Sequence, residues 1–207
     1  MARSYDTIAE TYAGWASTVR ANERARYTAE LLERLPAGAA VLEPGCGAGI
    51  PTTRALAERF AVTGADIAVR QIELARQNVP SAQFIHADMA TLDVAPASFD
   101  AVAAFYSIIH LPREEHAGLL RRIAGWLRPN GLLVAAMGAG PEPGDIEPDW
   151  LGAPMYWSHY DSTTNRALVE RAGLHILSAR KETDEEDGQP VTFLWVIAQK
   201  RNKHDHV

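Results

Sequence analysis

Cysteine is almost missing from this 207-residue chain, in which Cys46 stands alone. One thiol makes no internal disulfide and no thiolate cluster, which excludes a disulfide-stapled scaffold and a cysteine-rich zinc module. No apolar run approaches the roughly 18 residues that suggest a membrane-crossing helix. The opening Met1-Ala-Arg-Ser-Tyr-Asp lacks the apolar core of a signal peptide. Basic charge is also scarce: 20 Lys and Arg against 26 Asp and Glu leave a net charge of −6, which makes a poor general binder of phosphate backbones. These absences give the expectation of a soluble, cytoplasmic chain forming one domain over 1–207, with neither a membrane nor a nucleic acid as partner. An apolar share of 47% supplies a core for a chain of this length and argues against disorder.

What the chain does contain is a regular alternation of strand-like and helix-like segments. An opening polar-aromatic stretch carries Tyr5, Tyr12 and Trp15, and a helix follows over 22–35 until Pro36-Ala-Gly38 stops it. Strands are expected over 39–43, 60–65, 82–85, 101–105 and 132–137, with helices over 51–59, 69–78 and 113–127 between them. Strands alternating with helices at this spacing mean a parallel sheet covered on both faces. Residues 138–154 are rich in Gly and Pro and read as a loop without a shape of its own. Asp161-Ser-Thr-Thr suits a helix N-cap and Gly173 the matching stop. Two last strands, over 174–181 and 191–199, have only 182–190 between them, too short for a parallel crossover, so the sheet ends in an antiparallel strand. The organisation is therefore an N-terminal lid and helix (1–37), a ligand-binding core (38–137), a substrate-side loop, helix and hairpin (138–199), and a frayed tail (200–207).

Chemistry concentrates where strands end. Val41-Leu-Glu-Pro-Gly-Cys-Gly-Ala-Gly49 joins the first strand to a helix, and its glycines let a ligand approach backbone and helix N–H groups. A dinucleotide fingerprint wants glycine or alanine where Ile50 stands, so the match to a nicotinamide site is imperfect. Asp66 ends the second strand, where a carboxylate can accept both hydroxyls of a ribose. Asp88-Met89 follows the third, pairing an acceptor for an adenine amine with a soft apolar contact for its face. All three lie at the C-terminal ends of successive strands, where open α/β sheets bind ligands.

Taken together, Val41 to Gly49, Thr63-Gly-Ala-Asp-Ile67, His86-Ala-Asp-Met89, Ser98-Phe-Asp-Ala-Val102 and Leu127-Arg-Pro-Asn-Gly131 resemble the class I S-adenosylmethionine-dependent methyltransferases. The resemblance implies a Rossmann-like, doubly wound seven-stranded sheet with six parallel strands and one antiparallel, helices on both faces. It implies S-adenosylmethionine as cofactor, S-adenosylhomocysteine as product and a small-molecule methyl acceptor. Carried over, Gly45, Cys46, Gly47 and Gly49 form the loop around the methionine part, and Glu43 organises it. Asp66 takes the ribose, Ile67 and Met89 the adenine faces, and Asp88 the adenine amine. Tyr5 and Tyr12 lie in a segment similar to the family's lid, and Phe105 joins the cofactor set. Base-amine enzymes carry an Asp/Asn-Pro-Pro-aromatic motif where this chain reads Phe105-Tyr-Ser-Ile108, which argues against nucleic-acid methylation. Cys46 reads best as a small packing residue.

Two histidines are candidate bases for an acceptor that must lose a proton: His110 after the fourth strand, and His159 in Pro154-Met-Tyr-Trp-Ser-His-Tyr160. Tyr106, Met155, Tyr156 and Trp157 are the expected substrate wall. The two histidines, available as bases, favour O-methylation. N- or S-methylation, a protein or RNA acceptor, a nucleoside-binding pseudoenzyme and, weakened by Ile50, a dehydrogenase are the alternatives. No metal is expected: His204-Asp-His206 offers only two histidines on a tail, and Asp184-Glu-Glu-Asp187 reads as a solvated hairpin tip.

Overall fold

A computed structural model describes residues 1–186 and 188–201. Its strands are β1 (Ala40–Pro44), β2 (Ala61–Asp66), β3 (Gln83–His86), β4 (Phe99–Ala104), β5 (Leu127–Gly138), β6 (Glu142–Trp150), β7 (Ala153–His159), β8 (Leu174–Glu186) and β9 (Gln189–Lys200). Seven of them form one sheet in the order β3-β2-β1-β4-β5-β9-β8. β9 runs antiparallel to both of its neighbours, β5 and β8, and the other strands share one direction. This is the expected six-plus-one sheet, with the antiparallel strand set between β5 and the edge strand β8.

The central strands are apolar without a break because both faces of the sheet are covered, and successive residues point to opposite sides. Leu42, Val102, Leu133, Ala135, Val196 and Ala198 face one core with Leu119, Leu120 and Ile123 of helix α6 (Arg113–Trp126). Their chain neighbours Val41, Ala101, Leu132, Val134, Trp195 and Ile197 face the other. There Tyr27 and Leu31 of α3 (Ala21–Arg34) and Leu56 of α4 (Thr52–Ala57) complete the packing. Helix α5 (Val69–Asn78) lies between β2 and β3, and α7 (Ser162–Arg171) precedes β8. Asp161 caps α7 as expected, its Oδ1 accepting from the backbone N–H of Thr163 and Thr164 at 2.8 and 2.9 Å.

Two segments differ from the expectation. Residues 142–159 form an antiparallel hairpin of β6 and β7, turned by Leu151 and Gly152, both at positive φ as tight two-residue hairpin turns require. Pro143, Pro148 and Gly144 hide β6 in the sequence: it is almost wholly exposed and has no apolar period, so its extended form comes from pairing with β7. β7 does bury Ala153 and Met155, against Ile8 of the N-terminal segment. The closing hairpin also runs further than expected, with β8 and β9 continuing to Glu186 and Gln189. Of the expected solvated tip over 184–187, Glu186 pairs with Arg20 at 2.7 Å, and Glu182, just before the tip, pairs with Arg26 at 2.8 Å. Asp187, His204 and His206 lie outside the described residues.

The opening stretch folds as two short helices, α1 (Ala2–Thr7) and α2 (Ala9–Ala16). The start of α5 anchors them: Asp6 Oδ1 accepts from the backbone N–H of Arg70 at 2.8 Å, and the Arg70 side chain reaches Glu10 at 2.6 Å. That docking fixes Tyr5 and Tyr12 over the C-terminal ends of the strands.

Candidate functional site

A cavity of about 250 Å³ opens where β1, β2, β3 and β4 end. Gly45 and Gly47 line it from the loop after β1, Asp66 and Ile67 from the end of β2, and Asp88 and Met89 from beyond β3. The loop is held by the chain around it. Gly45 and Cys46 donate their N–H groups to the Ala65 carbonyl at 2.7 and 3.1 Å. Asp66 Oδ2 accepts from the Gly47 N–H and Oδ1 from the Ala68 N–H, both at 2.9 Å. A carboxylate has about four acceptor positions, so Asp66 keeps capacity for a ligand. Burial raises its carboxyl above the ordinary value, and the backbone N–H groups oppose that shift. Asp88 accepts from the Ala90 N–H at 2.8 Å through one oxygen.

Gly45 sits at φ +79°, and a Cβ there would fall 2.3 Å from the Cβ of Ser107. Tyr12 covers Gly47, its Cε1 3.3 Å from where a Cβ would stand. The floor of the cavity is therefore backbone, and its roof is the ring of a docked tyrosine.

A second cavity, about 340 Å³, adjoins the first, and Tyr5, Tyr12, Tyr106 and His110 line both. His110 is the hinge between them. The Tyr156 carbonyl accepts from its Nδ1–H at 3.0 Å, which leaves Nε2 to accept from the Tyr5 hydroxyl at 2.8 Å. Burial lowers the His110 imidazole to a pKa of about 4, so it is neutral at pH 7 with its Nε2 lone pair directed to the shared wall. Burial also raises the Tyr5 phenol well above its ordinary value, which keeps it a donor.

The second cavity is walled by aromatic rings, among them Trp150 and Trp157, whose centroids lie 5.3 Å apart edge to face. Trp157 also leans on His110 at 4.6 Å. His159 lines this cavity too, its Nδ1–H donating to the Gly140 carbonyl at 2.7 Å. Its ring lies so close over Gly138 that a Cβ there would sit 2.1 Å from it. Of the two histidines, His110 alone reaches both cavities.

Several expected site residues do not line either cavity. Glu43 is buried behind the loop, where Thr53 Oγ1 donates to its Oε2. Cys46 packs its sulfur against Gly64, and burial pushes its thiol well up, which fits a packing role. Gly49 is pressed against Val79 and Ala75 beside α5. Phe105 and Tyr106 both pack edge to face on Trp195, and Tyr106, at φ +57°, also lines both cavities. Met155 is buried against the N-terminal segment, and Tyr156 contributes its carbonyl to His110.

A family model described as a methyltransferase domain matches residues 41–131. A trans-aconitate 2-methyltransferase of Delftia acidovorans is 39% identical over 124 residues, which is 56% of this chain and 45% of that protein. The methyltransferase GfsG of Streptomyces halstedii is 38% identical over 169 residues, 73% of this chain and 59% of its own. This chain belongs to the class I S-adenosylmethionine-dependent methyltransferases. It spans about half the length of the curated relatives it matches, 45% and 59% of these two. In fold it resembles 1,6-didemethyltoxoflavin-N1-methyltransferase of Burkholderia thailandensis, with a TM-score of 0.69 at 20% identity over 97% of this chain and 89% of that one.

Among the lining residues that sequence reading missed, Ser107 lies inside the ligand-binding core, whereas Arg20, Arg24, Trp150 and Phe193 lie outside it. Ser107 lines the first cavity and donates its hydroxyl to the Pro44 carbonyl at 2.8 Å. Arg20 and Arg24 line the second. Arg24 did leave a trace, because it shares the buried face of α3 with Tyr27, Thr28 and Leu31, where an arginine is out of place. Trp15, Trp150 and Phe193 close the aromatic wall, and Glu142, Asp145 and Glu147 of β6 stand at its rim.

Glu43 gives this chain a pH signature. Burial raises its carboxyl to about 8, so the folded chain holds that proton over a range where the unfolded chain releases it near its ordinary value. Protons bound by the folded state alone make stability fall as pH rises from about 4.5 to 8. Glu43→Gln keeps the shape without the charge. Urea denaturation at pH 5, 6.5 and 8 is expected to show the variant gaining on the wild type as pH rises, by on the order of 3–4 kcal/mol between pH 5 and pH 8. An unchanged difference across that range contradicts the buried, proton-holding carboxyl.

Proposed function

We propose that the protein transfers a methyl group from S-adenosylmethionine to an oxygen of a small-molecule acceptor, with His110 taking the acceptor's proton. The observation that carries this reading is the wall common to two adjoining cavities, one lined by the glycine loop and paired acids, the other by aromatic rings. The first suits the cofactor: a Cβ-free cradle at Gly45 and Gly47, spare carboxylate acceptors at Asp66 and Asp88, and apolar flanks at Ile67 and Met89. Tyr5 and Tyr12 would cover it, while Glu43, Cys46, Gly49 and Phe105 support its shape from behind. Once bound, S-adenosylmethionine supplies a methyl group made electrophilic by its sulfonium.

The chain's own residues supply position, dryness and a place for a proton. Tyr5, Tyr12, Trp150 and Trp157 exclude water from the acceptor side, and orientation of this kind is worth on the order of 7–11 kcal/mol in favourable cases. His110 is held in one tautomer by the Tyr156 carbonyl, so its Nε2 is the acceptor that an incoming hydroxyl would meet in place of Tyr5. His159 orients the outer rim. The relatives named for trans-aconitate, and one named 27-O-demethylrifamycin SV methyltransferase, support a small-molecule acceptor. Net acidity makes a nucleic-acid acceptor the weaker reading, and no step of this scheme calls for a metal ion.

The test uses labelled S-adenosylmethionine with a panel of phenols, carboxylic acids, amines and thiols. Methylated oxygen is expected, and turnover confined to amines or thiols overturns the choice of atom. On the acceptor so found, His110→Ala is expected to lower kcat about 100-fold, the lower end of what a positioned base contributes. Because burial holds the imidazole near 4, wild-type kcat/KM should stay level between pH 6 and 8 and fall only on approach to that value. A fall centred near 6.5 contradicts a desolvated His110.

A further inference from the structure

The second cavity contains more hydrogen-bonding capacity than the protein uses. Three of its lining groups are buried with a polar atom that makes no hydrogen bond: Arg20 at Nη1, Arg24 at Nε and Tyr106 at its hydroxyl, beside which the Trp195 indole N–H stands as a donor only. Their residues are 3%, 7% and 8% exposed, so bulk water does not satisfy them. An unmade bond at such a site costs about 1–3 kcal/mol, more for a charged group. Three such groups on one wall require an explanation.

The two arginines differ in how their charge is met. Arg20 donates through Nε to Glu186 at 2.7 Å and through Nη2 to the Val191 carbonyl at 3.0 Å, so a carboxylate already answers it. Arg24 has no carboxylate in ion-pair contact among the described residues. Its guanidinium lies 4.4 Å from the centroid of the Tyr106 ring, which holds the cation in place without neutralising it. Glu43 feels its charge from behind the glycine loop but spends its Oε2 on Thr53. The other acids facing the cavity, Glu142, Asp145 and Glu147, stand on the exposed strand β6, where solvent and salt screen them. Glu23, buried on α3, also acts on the Tyr106 hydroxyl but does not line the cavity. Among the charged lining groups, the deep wall carries Arg20 and Arg24 against Glu186, and the rim carries acids alone.

We infer that the Arg20, Arg24 and Tyr106 wall is a recognition site for a carboxylate on the methyl acceptor. The planar guanidinium of Arg24 offers paired N–H donors that match a carboxylate, and the Tyr106 hydroxyl adds a third donor. The rings of Trp150 and Trp157 cover a flat apolar body carrying that carboxylate, and the acidic rim discourages the reverse orientation. Neither arginine lines the first cavity, and Arg24 approaches it only through Tyr12 and Tyr5, which both cavities share, so the wall is assigned to the acceptor.

The inference rests on the methyltransferase reading, and one calorimetric series tests the two apart. Wild-type protein is first titrated with S-adenosylhomocysteine and with 5′-methylthioadenosine, which lacks the amino-acid end; failure of both to bind sinks the methyltransferase reading itself. The protein saturated with S-adenosylhomocysteine is then titrated with 2-naphthoate and with neutral 2-naphthamide. Naphthoate is expected to bind at least tenfold more tightly. Arg24→Gln should remove that preference and Arg24→Lys restore part of it, with both nucleosides bound within threefold of wild type. Tyr106→Phe, which removes one hydroxyl and keeps the ring, should weaken naphthoate severalfold and leave naphthamide alone. Equal binding of the two probes, or binding of neither, overturns the inference. So does an Arg24→Gln variant that loses S-adenosylhomocysteine tenfold and spares methylthioadenosine, since the guanidinium then serves the cofactor's own carboxylate.

Discussion

Gly45→Ala is expected to reduce affinity for S-adenosylhomocysteine about 30- to 3,000-fold. The new Cβ meets Ser107 Cβ at 2.3 Å, with Ser107 Oγ at 3.0 Å and Met89 Cε at 3.3 Å. Ser107 has little room to retreat, because it is buried and bonded to the Pro44 carbonyl. The left-handed backbone adds about 1–2 kcal/mol for an L side chain, and overpacking of a filled site adds about 1–3 kcal/mol. Relief comes only by moving the loop off the ligand, so a sum of about 2–5 kcal/mol appears as lost binding, with tenfold for each 1.4 kcal/mol. Calorimetry checks the affinity, and a thermal melt separates loss of the site from loss of the fold. A variant that binds within threefold of wild type contradicts the backbone cradle.

Asp66→Ala is expected to do at least as much by a different route. It deletes the acceptor of the Gly47 and Ala68 N–H groups and, on the proposed reading, the partner of the ribose. Hydrogen bonds to a charged group contribute roughly 1.5–3 kcal/mol each, so the loop alone loses about 3–6 kcal/mol of organisation. That corresponds to roughly 10²–10⁴ in affinity. Asp66→Asn should fall between the two, because one amide oxygen replaces two acceptors and its NH₂ meets an N–H. The ordering wild type, Asn, Ala in S-adenosylhomocysteine affinity checks this, and an alanine variant that binds normally contradicts it.

The sheet was legible in the sequence because its signals are local. Unbroken apolar strands such as Ala101 to Ala104 declare two buried faces, and the short link before Val191 declares an antiparallel return. The first cavity was legible for the same reason: Gly45, Gly47, Asp66, Asp88 and Met89 each sit at the end of a strand, and topology brings strand ends together. The second cavity was not, because its walls are assembled from separate regions. Arg24 of α3, Trp150 of β6 and Phe193 of β9 meet only through tertiary packing. β6 was hidden by prolines and by its exposure, which leave pairing with β7 as the sole cause of its extended form. Among the expected substrate residues, Tyr106 and Trp157 reach the cavity, whereas Tyr156, on the opposite face of β7, does not, and Met155, on the same face as Trp157, is buried against Ile8 of the N-terminal segment.

The most direct measurement is a calorimetric titration of the purified protein with S-adenosylmethionine, S-adenosylhomocysteine and NAD side by side. The glycine cradle, Asp66 and Asp88 lead to the expectation of micromolar binding of both sulfur nucleosides and no binding of NAD. Binding of NAD without either sulfur nucleoside contradicts the methyltransferase assignment and turns the same cavity into a nicotinamide site.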